Sequence, residues 1–217
     1  MKKIVLLIVL ASSLFVSACQ QKEDNPKLGT QNMEAVDLGL FFKWATCNVG
    51  ATKPEEYGDY FAWGEVTTKS SYTWGNYAWA DGSADKLTKY CPADGLTFLG
   101  GDDDAAYKNL GDGWFIPDTN CWEQLKENCD WTWTTQNGVT GYLVTSKKNG
   151  NSIFLPATGC HFDDTSGDVG TYGYYWTSNL YSDKPSDSYY MYLIPNYRVE
   201  GAWPRYVGMT IRAVRAD

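Results

Sequence analysis

From Ala35 onward the chain alternates short β-prone runs, rich in aromatic side chains, with turns of glycine, asparagine and aspartate. This texture predicts many short strands. The clearest hairpin runs from Tyr142 to Leu155, where Asn149-Gly150 would supply the two positive-φ residues that a tight turn needs. Near the C-terminus every second residue is apolar, which predicts a strand with one face in the core. Its apolar positions are Val207, Met209, Ile211 and Ala213.

Helical signals are few. A short helix is predicted over Asp103–Leu110, with Gly111 as its stop. A second helix is predicted over Thr119–Glu127, because Asp118 can cap it and an apolar stripe of Trp122, Leu125 and Cys129 follows helical spacing. Residues 35–217 show no internal repeat and are long enough for one substantial core. We therefore expect one α+β domain, dominated by strands, with two short helices.

The chain of 217 residues carries 18 Lys and Arg against 26 Asp and Glu, which gives a formal net charge of −8. Binding to a phosphate backbone needs a basic footprint, so this balance argues against nucleic acid as a partner. Hydrophobic residues make up 43% of the chain, which excludes a disordered protein.

Residues 1–18 have the features of a bacterial signal peptide. The apolar run Ile4–Val16 is shorter than the roughly 20 residues of a membrane span. It ends in small residues followed by Cys19, a sequence that resembles the lipobox of bacterial lipoproteins. We expect Cys19 to be the site of lipid attachment. The alternative is an ordinary secretory peptide cleaved after Ala18.

Residues 19–34 are polar and aperiodic, which predicts a lipidated tether. Lys22-Glu23-Asp24 is similar to the export signal of Bacteroidetes surface lipoproteins, although a solvated linker would have the same composition. A lipobox cysteine carries two or three acyl chains, enough for stable attachment. We expect a protein of the outer membrane, at the cell surface, whose only contact with the membrane is its lipid anchor.

Five cysteines follow the tether, and cysteines outside the cytoplasm tend to pair: Cys47, Cys91, Cys121, Cys129 and Cys160. An odd number leaves one thiol over if two bridges form. Within a helix, Cys121 and Cys129 would lie about 12 Å apart, too far for a disulfide. The chain has no closely spaced cysteine pair for a zinc site.

His161 is the only histidine of the chain, so a histidine-rich metal site is excluded. A Ser-His-Asp or Cys-His catalyst built on His161 is formally possible. The adjacent Cys160 does not support it, because neighbours on a strand point to opposite faces.

Three groups of motifs, taken in order, resemble the Fibrobacter succinogenes major paralogous domain, a family common in Bacteroidetes lipoproteins. The resemblance covers nearly all of residues 35–217. The motifs are Val36–Leu40, Lys43–Ala51 and Trp63–Glu65; then Asp103–Ala106, Trp114–Pro117 and Trp122–Leu125; then Leu155–Gly159, Gly173–Ser178 and Gly208–Arg212.

That family in turn looks like the C-type-lectin-like fold of formylglycine-generating enzymes and of the variable proteins of diversity-generating retroelements. The resemblance therefore implies this fold and a surface location. Cys121 and Cys160 stand where the family has other residues, which suggests that they pair with each other, with Cys47 paired to Cys129 or Cys91.

The resemblance supports no known activity of related folds. Formylglycine-generating enzymes use two cysteines near the C-terminal end of the domain, and this chain has none after Cys160. Calcium-dependent lectins use a Glu-Pro-Asn or Gln-Pro-Asp loop, whereas Ile194-Pro195-Asn196 lacks the acid. A conventional site for sugar and calcium is therefore not expected.

Two groups of acids need separate interpretations. Asp102, Asp103 and Asp104 lie at the N-terminus of the first predicted helix, where carboxylates favour the positive end of the helix dipole. A second group lies in a glycine-containing loop that is oxygen-rich enough to hold calcium, although the EF-hand pattern fails there; it consists of Asp163, Asp164 and Asp168. A glycosidase would need two paired carboxylates, and no spacing singles out such a pair.

The stretch Tyr172–Tyr206 holds nine of the 16 tyrosines, and all four arginines lie at position 198 or later. Rigid aromatic rings among small polar residues resemble the composition of a paratope. Tyr174, Tyr190 and Tyr192 could alternate inward, and we assign Trp176 and Arg212 to the interior. The residues expected to be exposed and to bind ligand are Tyr189, Tyr197, Arg198, Trp203, Arg205 and Tyr206.

These observations lead to a hypothesis: a lipid-anchored, non-enzymatic surface protein that recognises a glycan or protein through its C-terminal aromatic loops. One alternative is a hydrolase that uses loop carboxylates, which would require a cleft with two facing carboxylates of raised pKa. Another is a structural fibre or tip subunit, which would require an unpaired edge strand or a donor segment.

Overall fold

The computed structural model describes residues 32–216. The predicted signal peptide, Cys19, the export triplet and most of the tether lie outside the described residues. Within that range no helix is long and apolar enough to cross a membrane. The helices are α1 (Ala105–Leu110) and α2 (Thr119–Asn128), and short 3₁₀ turns form at Trp74–Asn76 and Gly101–Asp103.

Twelve strands make up most of the regular structure. They are β1 (Ala35–Val36), β2 (Lys43–Ala45), β3 (Trp114–Phe115), β4 (Cys129–Gln136), β5 (Val139–Ser146), β6 (Ser152–Pro156), β7 (Cys160–Phe162), β8 (Thr165–Gly167), β9 (Gly173–Leu180), β10 (Asp187–Ile194), β11 (Tyr197–Pro204) and β12 (Val214–Arg215).

These strands form small antiparallel sheets with the orders β1-β2-β12-β3, β4-β5-β6, β11-β10-β9 and β7-β8. Because strands dominate and two short α-helices are described, the strand-dominated α+β class expected from the sequence is confirmed at this coarse level. One core forms around Trp63, Trp176 and Met209. A second core forms around Trp44, Trp122 and Tyr175.

Both helices begin where a side chain can satisfy their first free N–H groups. The Asp104 carboxylate accepts hydrogen bonds from the backbone N–H of Ala106 (2.8 Å) and Tyr107 (3.0 Å). Helix α1 therefore starts two residues later than predicted and ends before Gly111, as expected. The predicted cap of α2 is confirmed, because Asp118 accepts from the Cys121 N–H at 2.7 Å.

The predicted hairpin is confirmed as β5–β6, with Tyr142 opposite Leu155. The prediction for its turn is wrong in part, because Gly150 alone adopts a positive φ there. The tight Asn-Gly turn lies instead between β4 and β5, where Asn137 and Gly138 have φ of 49° and 85°. The Asn149 side chain donates to the Asp37 carbonyl at 2.9 Å, which fixes the longer β5–β6 loop.

The predicted core face of the C-terminal segment is confirmed, because Val207, Met209, Ile211 and Ala213 all belong to the first core. The segment is not a continuous strand, and the residues between these four are buried as well. The Thr210 hydroxyl donates to the Tyr57 carbonyl at 2.9 Å, and the Arg212 guanidinium donates to buried carbonyls. The segment is also held by single bridges, such as the one between Met209 and Phe61. The interior positions of Trp176 and Arg212 are confirmed, since both are almost fully buried.

Candidate functional site

The sheet β11-β10-β9 presents a row of aromatic rings on one face. The register places Tyr190 opposite Trp176 and Gly201, and Tyr192 opposite Tyr174 and Val199. Side chains opposite one another in a sheet share a face, so these rings lie on one side. We name this surface the tyrosine face and define it as the partly exposed rings of Tyr172, Tyr190, Tyr192, Tyr197 and Trp203.

Tyr174 is the buried centre on which the tyrosine face is built. Its ring centroid lies 4.9 Å from that of Tyr192, 5.7 Å from that of Tyr190 and 5.8 Å from that of Trp203. Tyr172 packs against Tyr192 at 5.6 Å. Aromatic pairs at these separations stabilise one another beyond the area they bury, so the rings form a preorganised array.

A glycine opposite Tyr190 determines how that ring lies. A Cβ atom on Gly201 would come within 2.6–2.8 Å of atoms of the Tyr190 ring and hydroxyl. The ring therefore covers the backbone of β11 at a position where any other residue would push it away. A glycine in the middle of a strand often marks such a close approach.

The phenol groups of Tyr174, Tyr190 and Tyr192 remain protonated at physiological pH. The Tyr174 hydroxyl donates to Oδ2 of Asp168 at 2.7 Å. Burial, together with this hydrogen bond, raises the pKa of Tyr174 far above its ordinary value. Burial also raises the pKa of Tyr190 to about 12 and shifts that of Tyr192 upward. The hydroxyl groups of Tyr174, Tyr190 and Tyr192 are therefore neutral hydrogen-bonding groups beside apolar ring surfaces.

The predicted ligand-binding residues divide between the two faces of β11. Tyr197 and Trp203 lie on the tyrosine face, and Tyr197 is 61% exposed. Arg198 lies on the opposite face, where its guanidinium carbon is 5.3 Å from the Trp131 ring centroid. Tyr189 shares that opposite face and packs against Tyr181 at 5.2 Å. Both Arg198 and Tyr189 are half-buried rather than freely exposed.

The last two predicted residues follow β11. Tyr206 is half-buried, with its ring 5.1 Å from that of Trp74, and it is not part of the tyrosine face. The prediction that Arg205 is exposed is wrong, because its side chain is completely buried. The Arg205 guanidinium donates to the carbonyls of Lys89 and Tyr90.

Arg205 is buried because the chain turns inward after β11. The Arg205 N–H donates to the Ser186 carbonyl at 3.0 Å, and its own carbonyl accepts from the Trp63 N–H at 2.8 Å. The guanidinium then lies between the rings of Trp63 and Tyr77, at 5.6 and 5.4 Å from their centroids. Composition alone could not separate this arginine from Arg198.

Three residues of the tyrosine face were not among the predicted ligand contacts: Tyr172, Tyr190 and Tyr192. Strand alternation placed Tyr190 and Tyr192 inward, and they do share a face with the buried Tyr174. They remain half-buried because they lie at the border of the first core instead of inside it. The sequence signal that could have identified Tyr190 was Gly201, because a glycine inside a strand often marks the close approach of a ring or of another backbone.

The calcium prediction is not supported by the arrangement of the acids. Within residues 32–216 no group of three acidic, cysteine or histidine side chains is placed to hold a metal ion. The suggested set of Asp163, Asp164 and Asp168 is therefore not arranged as a metal site. Asp163 and Asp168 occupy positive-φ turn positions, and Asp168 accepts the Tyr174 hydroxyl bond.

The five cysteines of the domain are thiols in this structure, and their pairing stays a prediction. Burial raises the pKa of Cys160 and Cys121 to about 12, so neither would supply a thiolate near neutral pH. Burial lowers the pKa of His161, whose ring centroid lies 4.1 Å from that of Tyr60. This neighbourhood is an aromatic contact and offers no activated nucleophile.

The pattern of carboxyl groups does not match the expected hydrolase. Burial raises the pKa of Asp104 to about 6, but its carboxylate accepts three backbone N–H bonds and serves as the cap of α1. The pKa of Asp102 is lowered by its hydrogen bond to Lys108. Burial also raises the pKa of Asp59 and Glu200, and the nearby Glu123 adds to the shift of Glu200. None of these three raised acids is among the lining residues of the cavities in the described part of the chain.

Strand β11 is the edge of its sheet, which the structural-subunit hypothesis would need. However, Glu200 is exposed on that strand and Pro204 ends it. Charged residues and proline are devices that discourage strand addition at an edge. The edge alone therefore gives that hypothesis little weight.

Comparison of the chain with protein-family models, with curated proteins and with solved structures found no match. The family resemblance drawn from the sequence motifs therefore stays a prediction, and the geometry of the domain carries the argument about function.

Proposed function

We propose that this chain is a lipid-anchored, non-enzymatic binding protein of the outer membrane, displayed at the cell surface, with a domain of C-type-lectin-like fold. The lipobox-like sequence supports the anchor, and the order of the motifs together with the strand-dominated architecture supports the fold. The domain recognises a glycan or protein ligand through the tyrosine face.

One observation carries this proposal: partly exposed aromatic rings are held in a fixed array on one sheet face. The rings of Tyr190, Tyr192 and Trp203 pack on Tyr174, and the exposed Tyr197 lies on the same face at the start of β11. Tyrosine and tryptophan offer large contact areas with few rotamers to freeze, so a preorganised array binds at low entropic cost.

The chemistry of the face favours a glycan among these ligands. Sugars have apolar C–H faces and hydroxyl rims, and the tyrosine face pairs ring surfaces with neutral phenol groups. Asp168, which accepts the Tyr174 hydroxyl bond, places a further acceptor beside the array. No cation is needed for this mode of recognition.

A double substitution tests the proposal in the lipidated full chain. Tyr192→Ala with Trp203→Ala removes two rings of the array, and we expect at least about tenfold weaker binding to a hit from a glycan array, as for central aromatic anchors. The matched control is Tyr189→Ala with Arg198→Ala on the opposite face of the sheet, which should leave affinity unchanged. A melting curve checks that both variants are folded.

Gly201→Ala provides a second arm that keeps every ring. The added methyl group must displace the Tyr190 ring, so we expect weaker binding with the protein still folded. Gly101→Ala is the control, because its nearest contact would be a comfortable 3.8 Å. Unchanged binding in the folded double variant would refute the proposed face, and binding of protein but no glycan would reassign the ligand class.

A further inference from the structure

One concave region of the domain is formed by residues outside the tyrosine face. It is a cavity of about 390 Å³, lined in part by Glu65, Thr67, Trp79, Asp102 and Asp103. Its volume falls in the range of about 300–1,000 Å³ that is typical of small-molecule sites. None of its lining residues belongs to the tyrosine face.

The charges of this cavity are balanced within the protein. Glu65 pairs with Lys69 at 2.8 Å, Asp102 pairs with Lys108 at 2.6 Å, and Asp103 pairs with Lys89. The formal charges of these three carboxylates and three ammonium groups sum to zero. The cavity therefore favours neither an anionic nor a cationic ligand. A neutral, polar ligand suits such a set of fixed donors and acceptors.

One carboxylate is buried with an acceptor atom to spare. Asp103 is 5% exposed, and its Oδ2 accepts from both the Tyr90 hydroxyl, at 2.6 Å, and Lys89. In the part of the chain that the structure describes, both bonds end on this one oxygen, so Oδ1 stays open to a donor. A buried carboxylate needs hydrogen bonds, and a ligand hydroxyl would complete the set.

An indole ring forms the apolar wall of the cavity. Trp79 donates from Nε1 to the Gly64 carbonyl at 2.8 Å, which fixes the ring. Gly64 has a φ of +79°, and a Cβ atom there would press on Trp79 at 3.1–3.2 Å. The Lys89 ammonium lies 4.6 Å from the ring centroid. A fixed, half-buried indole thus stands beside the open acceptor of Asp103.

We propose that this cavity binds a neutral saccharide unit. The Trp79 indole packs on the apolar face of the sugar ring, and the carboxylates of Asp103 and Asp102 accept bonds from its hydroxyl groups. This site is separate from the tyrosine face and does not depend on that face binding a ligand.

The test titrates the full chain with neutral methyl hexosides and disaccharides, with glucuronate and glucosamine as charged comparators. Binding is followed by the NMR shift of the Trp79 indole N–H. We expect neutral sugars to bind in the millimolar range and both charged sugars to bind more weakly. No shift with any neutral sugar, or tighter binding of a charged one, would overturn the proposal.

Blocking variants locate the site. Ala78 lines the cavity and is exposed, so Ala78→Trp fills the space without removing an ion pair, and we expect affinity to fall about tenfold or more. Ala93→Trp, at another exposed alanine outside the lining, is the matched control and should bind like the unaltered chain. Equal binding by both variants would place the sugar elsewhere.

Asp102→Asn keeps the test decisive if Ala78→Trp fails to fold, because Asp102 is highly exposed and its change removes a charge with little effect on packing. We expect a weaker preference for neutral sugars in this variant. Tyr192→Ala with Trp203→Ala should leave sugar binding in the cavity unchanged, which separates failure at this site from failure at the tyrosine face.

Discussion

Strand β11 and the segment that follows it have similar residue types and opposite surroundings. Along Tyr197–Pro204 the side chains are half-buried or exposed, and the strand is the edge of its sheet. From Val207 to Val214 every residue is buried. Arg198 and Arg205 are seven positions apart, yet the half-buried Arg198 lies over the rings of Trp131 and Tyr142 and Arg205 is completely buried.

The difference shows that neighbours in the fold, more than residue type, decide what an arginine does in this domain. The buried Arg205 and Arg212 donate mainly to main-chain carbonyls, and neither makes a salt bridge within the described residues. The planar guanidinium has five donors, so it can cross-link carbonyls from several segments. The same change, arginine to methionine, at positions 212, 205 and 198 measures this difference in three steps.

Arg212→Met should have the largest effect. The Arg212 guanidinium donates to Asn48 Oδ1 at 2.8 Å and to the Phe154 carbonyl at 2.8 Å, with longer bonds to the carbonyls of Ala45 and Thr46. Each buried acceptor left without a donor costs about 1–3 kcal/mol. Relief of the buried charge offsets part of this loss, so we expect stability to fall by about 3 kcal/mol or more.

Urea unfolding measures that loss as a shift in the midpoint at constant slope. If Arg212→Met were as stable as the unaltered chain, the carbonyl cross-link would not be what holds the C-terminal segment in the interior. The comparison between buried and edge arginines would then lose its physical basis.

Arg205→Met should have an intermediate effect. Its guanidinium satisfies two carbonyls and lies between two rings, but its buried Nε has no hydrogen-bond partner in the described chain. That unpaired donor reduces its net contribution. We expect a loss of about 2 kcal/mol in the free energy of unfolding. A change within about 0.5 kcal/mol, as at ordinary surface positions, would mean that Arg205 is exposed in solution.

The helix ends and one hairpin could be predicted from the sequence. Asp118 and Gly111 mark helix ends with signals that depend only on nearby backbone groups, and both predictions are confirmed. The pairing of Tyr142 with Leu155 followed from two apolar runs separated by a turn. Such features need no knowledge of distant parts of the chain.

The failures all depend on distant contacts. The buried Arg205 guanidinium packs on the rings of Trp63 and Tyr77, which lie more than a hundred residues earlier in the chain. No local sequence pattern predicts this contact. The polar residues of the C-terminal segment alternate and suggested an open side, but Gly208 lies against the Tyr72 ring, and Thr210 and Arg212 donate to carbonyls of distant segments. The candidate site could be predicted only in part. Its composition indicated aromatic recognition, but the register of β10 and β11 was needed to show which of the predicted residues share one face of the sheet.

Arg198→Met should have the smallest effect of the three. The guanidinium lies over Trp131 and Tyr142 at 5.3 and 5.5 Å, and donates to the Tyr142 hydroxyl over a long 3.4 Å. Exposed cation–π contacts contribute about 0.5–1 kcal/mol, and methionine keeps much of the packing on the rings. We therefore expect a loss below about 1 kcal/mol. Ligand affinity at the tyrosine face should not change, because Arg198 lies on the other side of β11. A loss equal to that of Arg205→Met would show that the edge strand is as tightly integrated as the segment behind it, and reduced ligand binding would bring Arg198 back into the recognition surface.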